Sequence, residues 1–226
     1  PEVPFAFVTI GSAGREELAL NSDQDNAIIF GEHPDISSDE LQKSFLAIGE
    51  KICASLDETG LPLCNGGYMA SNPKWCQPLG VWKDYFADWI VNAEPENILN
   101  ITVFFDLRLV YGNQQLFDEL EPFVFEPLKG RPAFFSFWAQ TANAFKPPIN
   151  VFGNLITESM GKHSETIDIK NALASVNMFA RIFALHNDVR AKSTIERVDA
   201  LRALEVFSQV TADEVEFHFN FLMQQR

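Results

Sequence analysis

The sequence predicts a mixed α+β fold, with a small sheet domain and flanking helices over residues 1–120 and a helical-bundle domain over residues 121–226. Three observations support this division. Short runs rich in strand-forming residues, closed by glycine, are concentrated in the first part. The composition shifts near Glu121, and beyond it the chain is mostly of helical character. The 226 residues are 46% hydrophobic and 21% charged, which is ordinary globular composition and enough for two small domains.

The first half alternates strand-like and helix-like segments. Phe5–Ile10 (FAFVTI) and Asp23–Phe30 (DQDNAIIF) are apolar, strand-forming runs. Ser37 and Glu40 have the spacing of a capping box, and apolar residues at helical spacing follow them, which predicts a helix. Leu61–Met69 is expected to be the third strand.

The rest of the chain is predicted to be largely helical. An amphipathic helix is expected over residues 81–91, whereas residues 97–111 fit either a strand or a helix. Four further helical segments are expected in the second half: 132–145, 168–187, 193–208 and 211–225.

The charge balance and the cysteine count exclude several classes of protein. Seventeen Lys and Arg against 31 Asp and Glu give a net charge of −14, which opposes binding to a nucleic-acid backbone, so no DNA or RNA partner is expected. The three cysteines, at positions 53, 64 and 76, fit neither a disulfide framework nor a zinc spacing and indicate reduced thiols in a cytoplasmic protein. No run approaches the roughly 20 apolar residues of a membrane helix, and no membrane partner is expected.

The most informative residues lie between the first two predicted strands. Asp23 and Asp25 are two residues apart at the start of a strand, so their side chains project from the same face. Two carboxylates this close repel each other, and a divalent cation relieves the repulsion. Gly11 and Ser12 follow the preceding strand and offer free backbone N–H groups, small side chains and a hydroxyl, which suit close approach of a phosphate chain.

A phosphate-binding turn beside a carboxylate pair is the arrangement needed for metal-assisted attack at phosphorus. A glycine–serine turn and an Asp-x-Asp pair are each common in ordinary solvated turns. Their combination at this spacing is more specific than either alone. The histidines are scattered without metal-binding spacing, and no Walker A or G-x-G-x-x-G motif is present.

Residues 11–17 (GSAGREE) followed by residues 22–27 (SDQDNA) resemble the polymerase-β-type nucleotidyltransferase superfamily. Within it, the chain is similar to the catalytic domains of protein-PII uridylyltransferases and, more closely, to the bacterial signal-transduction nucleotidyltransferase family. Residues 64–75 (CNGGYMASNPKW), 104–112 (FFDLRLVYG) and 167–170 (IDIK) agree with that family. The resemblance implies a nucleotidyltransferase catalytic domain over residues 1–120 and a helical C-terminal domain over residues 121–226.

The resemblance also implies roles for particular residues. Gly11 and Ser12 would bind the triphosphate, and Asp23 and Asp25 would be catalytic residues that hold Mg²⁺ or Mn²⁺. The superfamily normally has a third carboxylate on a neighbouring strand, but the predicted strand Leu61–Met69 carries no acid.

Three further residues are candidates for the catalytic or phosphate-binding site, and each also has a purely structural interpretation. Asp106 is the best remaining candidate for the third catalytic acid, and the alternative is an ion pair with Arg108 or another arginine. Arg15 would contact a phosphate or lie on a helix surface. Lys170 would reach the phosphates or begin a helix as a surface lysine.

The function predicted by the resemblance is transfer of a nucleoside monophosphate from a nucleoside triphosphate to an acceptor, which could be a protein, in signal transduction. An alternative is a nucleotidyltransferase fold with weakened catalysis that acts as a nucleotide-sensing or interaction module, because the third acid is missing. A metal-dependent glycosyltransferase is a further alternative, distinguished by a preference for nucleotide sugars. Since the chain begins at Pro1 without Met, we expect a piece of a longer protein with upstream cyclic-nucleotide-binding and CBS regulatory domains.

Overall fold

A computed structural model describes residues 3–92, 94–142 and 168–226. The chain forms two compact units, Pro1–Lys129 and Gly130–Arg226. A four-stranded sheet with flanking helices in the first unit and helices in the second confirm the predicted mixed α+β fold.

The first unit is built on a sheet with strand order β3-β2-β1-β4. The strands are β1 (Phe5–Thr9), β2 (Asn26–Phe30), β3 (Cys76–Pro78) and β4 (Arg108–Gly112). Strand β1 pairs antiparallel with β2 and β4, and β2 pairs parallel with β3. Ala6, Val8 and Ile28 on the two central strands are fully buried. Because β1 and β2 run antiparallel, the end of β1 and the start of β2 lie at the same edge of the sheet.

Six helices surround this sheet within the described residues of the first unit. They are α1 (Gly11–Gly14), α2 (Ser38–Glu58), α3 (Leu79–Val91), α4 (Pro95–Phe104), α5 (Gln114–Asp118) and α6 (Glu121–Phe125). The capping box of Ser37 and Glu40 at the start of α2 is confirmed. Leu41 and Phe45 of α2 pack against the sheet around Phe30. Helix α6 packs on α3 and lies in the first unit, and the domain boundary between residues 120 and 121 stays a prediction.

Residues 61–69 do not form the predicted third strand. Leu63 makes a single bridge with Gln24, and Gly67 then turns the chain with a φ of +69°. The third strand is instead Cys76–Pro78, after a 3-10 turn at Pro73–Trp75. Strand-forming composition alone could not distinguish these two segments, because pairing depends on partners distant in sequence.

The sequence pattern of residues 97–111 fits either a strand or a helix, and the structure contains both there. Helix α4 runs to Phe104, and β4 begins at Arg108. The connection between them carries Asp106, which is fully buried.

The second unit is helical in its described residues. Its helices are α7 (Pro132–Ala142), α8 (Ile169–His186), α9 (Thr194–Ala203) and α10 (Gln209–Gln225). They fall within or close to the predicted segments, although residues 143–145 of the first prediction lie outside the described residues. Ala180, Val198, Leu201, Phe207 and Ala212 form a common core of α8, α9 and α10.

Candidate functional site

The candidate site lies at the sheet edge where β1 ends and β2 begins. Thr9 pairs with Asn26, the last and first residues of these strands. Just beyond this pair, the Ile10 N–H donates to the carbonyl oxygen of Asp25 at 3.2 Å. The turn at Gly11 and the Asp23–Asp25 segment are therefore held side by side, as the sequence predicted.

Asp23, Asp25 and Cys64 form one group of possible metal ligands. One ligand atom from each lies within 4.8 Å of the others, and the two aspartates are half-buried. Carboxylate oxygens are the ligands that Mg²⁺ prefers, so the aspartate pair fits a divalent ion. No other group of three His, Cys, Asp or Glu side chains approaches this closely among residues 3–92, 94–142 and 168–226.

Gln24 and Asn26 alternate with the two aspartates along the chain. Their side chains point into the protein and bind the segment that carries Cys64. Gln24 Nε2 donates to the carbonyl oxygens of Cys53 and Leu61, each at 2.9 Å. Asn26 Oδ1 accepts from the Ala70 N–H at 2.8 Å, and Asn26 Nδ2 donates to Gln24 Oε1 at 3.1 Å. Both side chains are almost fully buried. Side chains alternate along this extended segment, so the two aspartates face the site. The side-chain amides of Gln24 and Asn26 face inward and bind the segment that carries Cys64.

Backbone hydrogen bonds fix the position of Cys64 beside Asp25. The Gln24 N–H donates to the Pro62 carbonyl oxygen at 2.9 Å, and the Asn26 N–H donates to that of Tyr68 at 3.0 Å. Burial, followed by a hydrogen bond with Asp25, raises the pKa of the Cys64 thiol to about 11. Cys64 is therefore a protonated thiol at neutral pH in the absence of a metal ion.

An aromatic cluster lies next to this group. Tyr68 stacks on Trp75 with ring centroids 5.3 Å apart, and its hydroxyl donates to Asn100 Oδ1 at 3.1 Å. Burial raises the pKa of Tyr68, and electrostatic interactions with Cys64, Glu96 and Asp25 at the high pH where tyrosine ionises raise it further. Tyr68 thus remains a neutral hydrogen-bonding group beside the carboxylates.

Gly11 brings the backbone close to the aspartate pair. Its φ is +57°, in the left-handed region that favours glycine. A Cβ at this position would lie 3.5 Å from Asp25 Oδ2. Ser12 follows as a half-buried residue, and its carbonyl oxygen accepts from the Glu17 N–H at 2.9 Å. Because Gly11 has no side chain, its buried backbone lies close to the aspartate pair.

We expect Gly11→Val to lower the affinity for Mg²⁺–triphosphate by at least about tenfold, and by more than Ser12→Ala does, because a branched side chain obstructs the backbone. Isothermal titration calorimetry measures both affinities. Gly60→Val is the control, since Gly60 also has a positive φ, +96°, but open space around it. A folded Gly11→Val variant with wild-type affinity would show that phosphate does not approach this turn.

Arg15 and Asp106 lie in a buried charge cluster. Arg15 Nη1 is 2.6 Å from Asp106 Oδ2, and Arg15 Nε is 2.5 Å from Glu17 Oε2. Burial lowers the pKa of the Arg15 guanidinium, but the charges of Asp106 and Glu17 outweigh it and the net shift is upward. Arg15 is therefore not a surface arginine. The ion pair considered for Asp106 is present, with Arg15 as the partner rather than Arg108.

Arg108 supports the same turn from strand β4. Its Nε donates to the Gly14 carbonyl oxygen at 2.9 Å, and its Nη1 is 3.0 Å from Glu16 Oε1.

Asp106 does not belong to the ligand group of Asp23, Asp25 and Cys64. Its predicted role as the third catalytic acid, like the phosphate contact of Arg15, stays a prediction.

Lys170 is exposed in the first turn of α8, in the second unit. Asp168 caps this helix by accepting from the Asn171 N–H at 2.9 Å. Binding of phosphate by Lys170 likewise stays a prediction.

Sequence reasoning missed Cys64, Gln24 and Asn26 as residues of the site. The spacing of the three cysteines predicts reduced thiols, and all three are free of disulfides. A local signal for Gln24 and Asn26 exists, because their alternation with the aspartates places them on the inner face. No local signal pairs Cys64 with Asp25, since the contact depends on how residues 61–70 return to β2.

Two family models match the chain. The model described as "Putative nucleotidyltransferase DUF294" matches residues 1–96, which include Gly11, Asp23, Asp25 and Cys64. The model described as "Putative nucleotidyltransferase substrate binding domain" matches residues 132–226. Both matches agree with the resemblance to the nucleotidyltransferase superfamily that the sequence shows. Each model matches a separate part of the chain, the first a nucleotidyltransferase domain and the second a substrate-binding domain.

No curated protein matches the sequence of this chain. In the part of the chain that the structure describes, none of the helices combines the length and the apolar character needed to cross a membrane.

Proposed function

We propose that this protein is a metal-dependent nucleotidyltransferase that transfers a nucleoside monophosphate from a nucleoside triphosphate to an acceptor and releases pyrophosphate. The observation that carries the proposal is the placement of Asp23 and Asp25 in one ligand group beside Gly11, where an added Cβ would lie 3.5 Å from Asp25 Oδ2. The family match over residues 1–96 supports the same reaction class.

In the proposed reaction an acceptor oxygen attacks the α-phosphorus, and the bond between this phosphorus and the β-phosphate oxygen breaks. Pyrophosphate takes the electron pair of that bond, and the acceptor's proton passes to a base or to water. Asp23 and Asp25 would hold Mg²⁺ or Mn²⁺, and the bound ion would neutralise charge on the phosphate oxygens. Gly11 and Ser12 align the triphosphate through backbone N–H groups.

Arg15, Asp106 and Glu17 have a supporting role in this proposal. Their buried ion pairs hold the turn between β1 and β2 in place. Phosphate binding by Lys170 is also part of the proposal. The acceptor is proposed to be a protein side chain in a cytoplasmic signalling pathway.

Replacing both aspartates, as Asp23→Asn/Asp25→Asn, should abolish Mg²⁺-dependent triphosphate binding and pyrophosphate release. Stability should stay within about 1 kcal/mol of the wild type or rise, because repulsion between the carboxylates is removed. Calorimetry with each nucleoside triphosphate measures binding, a pyrophosphate assay measures turnover, and thermal melts measure stability. Asp57→Asn/Glu58→Gln removes the same charge from exposed positions of α2 and is the control. Unchanged Mg²⁺–triphosphate affinity in the aspartate double variant would contradict the proposed site.

The alternative, a nucleotide-sensing module without turnover, is favoured by one observation. The segment beside Asp25 presents Cys64 where a third carboxylate would complete an acidic triad. Metal-dependent triphosphate binding without pyrophosphate release, tested with candidate acceptor proteins by intact mass, would favour this alternative. A mass increase of one nucleoside monophosphate on an acceptor would establish the transferase.

A further inference from the structure

We propose that Cys64 is a third ligand, bound as a thiolate, of the metal ion held by Asp23 and Asp25, and that the site therefore binds thiophilic divalent ions such as Zn²⁺, Co²⁺ and Cd²⁺ more tightly than Mg²⁺. This inference rests on the proposed function for the presence of a metal ion. It adds a ligand and the chemical class of the ion.

The first support is the distance between the ligand atoms. Two ligands that are each about 2.0–2.3 Å from one ion lie at most about 4.5 Å apart. The sulfur of Cys64 and one oxygen of each aspartate all lie within 4.8 Å of one another. A small side-chain rotation is therefore enough to bring the three atoms around one ion.

The second support is the shared face of the two backbone segments. Gln24 and Leu63 form a parallel bridge, so the next residues along each segment, Asp25 and Cys64, project on the same side. Asp23 projects on that side too, because it is two residues before Asp25.

The third support is the rigidity of the segment that carries Cys64. Buried amide side chains bind both ends of residues 61–70. Gln24 Nε2 donates to the carbonyl oxygen of Leu61, and the Ala70 N–H donates to Asn26 Oδ1. The Cys64 N–H also donates to Met69 Sδ at 3.3 Å across the turn. Cys64 is thus held at the site before any ion binds, which lowers the entropic cost of coordination.

The chemistry of the three ligands then determines the class of ion. A thiolate is a soft ligand that favours Zn²⁺ and related ions, whereas Mg²⁺ binds almost only oxygen. The thiol gives up its proton to solvent when it binds, and the ion lowers the cost of that loss. A site with two carboxylates and one thiolate therefore accepts Mg²⁺ through oxygen alone and a thiophilic ion through all three ligands.

The test is a titration of the purified protein with Cd²⁺ alone, followed by the ultraviolet charge-transfer absorption of a cadmium thiolate. We expect the wild type to develop this band and Cys64→Ala to lack it, with Cd²⁺ affinity lowered by at least about tenfold and Mg²⁺ affinity changed by less than about threefold. Cys76→Ala is the matched control, because Cys76 is fully buried in β3 and should not contribute to the band. Circular dichroism verifies that each variant is folded.

Absence of the band in the wild type, or an undiminished band in Cys64→Ala, would overturn the inference. Loss of the band in Asp23→Asn/Asp25→Asn as well would support a shared ion. The proposed function fails by a different result, namely no metal-dependent triphosphate binding in the wild type, and the cadmium titration contains no nucleotide. The two failures are therefore distinguishable.

Discussion

Gly14→Ala should lower the free energy of unfolding by at least about 3 kcal/mol, among the largest effects expected for a single methyl group in this protein. A Cβ at Gly14 would lie 1.7 Å from the carbonyl oxygen of Asp106 and 3.2 Å from that of Thr9. Both atoms belong to the backbone and cannot move aside by rotating a side chain. The turn and the α4–β4 connection would have to separate, which also disturbs the Arg15–Asp106 ion pair.

Chemical denaturation of the wild type and variant measures this effect. Gly80→Ala is the control, because Gly80 lies in helix α3 with no atom within 4 Å of its added Cβ. That substitution should raise stability by roughly 0.5–1 kcal/mol through helix propensity. Equal stability of Gly14→Ala and the wild type would show that the contact between the turn and Asp106 is not closely packed.

Asp106→Asn should lower the free energy of unfolding by about 3 kcal/mol in metal-free buffer, at the lower end of the range for breaking a buried pair. Asp106 is fully buried and 2.6 Å from Arg15 Nη1, so its loss leaves part of a buried guanidinium charge uncompensated. Glu17 remains bound to the same guanidinium, which limits the cost. Denaturation of Arg15→Met and of the double variant completes a double-mutant cycle that isolates the coupling between the two residues.

Glu126→Gln is the control for this prediction. Its ion pair with Lys129 is exposed, and its removal should cost less than about 1 kcal/mol. The opposite result for Asp106→Asn, namely unchanged metal-free stability together with lost pyrophosphate release and weakened Mg²⁺ dependence, would assign Asp106 to catalysis. A strongly destabilised variant instead supports the structural role proposed for the ion pair.

The elements that could be predicted are those whose signals are local. The capping box of Ser37 and Glu40 depends on contacts three residues apart, and it is present as predicted. The common face of Asp23 and Asp25 follows from the two-residue period of extended backbone. The turn at Gly11 follows from a glycine directly after a buried strand.

Other features depend on segments that are distant in sequence. The ion pair of Arg15 and Asp106 joins residues 91 apart, and the bond between Asn26 and Ala70 joins residues 44 apart. The predicted third strand was wrong for the same reason, because residues 61–69 have strand-forming composition but pair with the sheet at only one bridge. Composition indicates that a segment can pair and does not indicate its partner.

By itself the sequence determined the class of fold, the metal-binding aspartate pair as a candidate and the glycine turn beside it, since each rests on spacing within a few residues. Only the tertiary structure decided that Cys64 joins Asp23 and Asp25, and that Arg15 and Asp106 bind each other inside the protein. Side chains from separate segments are brought together by strand pairing, packing and buried hydrogen bonds. These interactions form together when the chain folds, and they join residues that are far apart in the sequence. A short stretch of sequence therefore does not predict them.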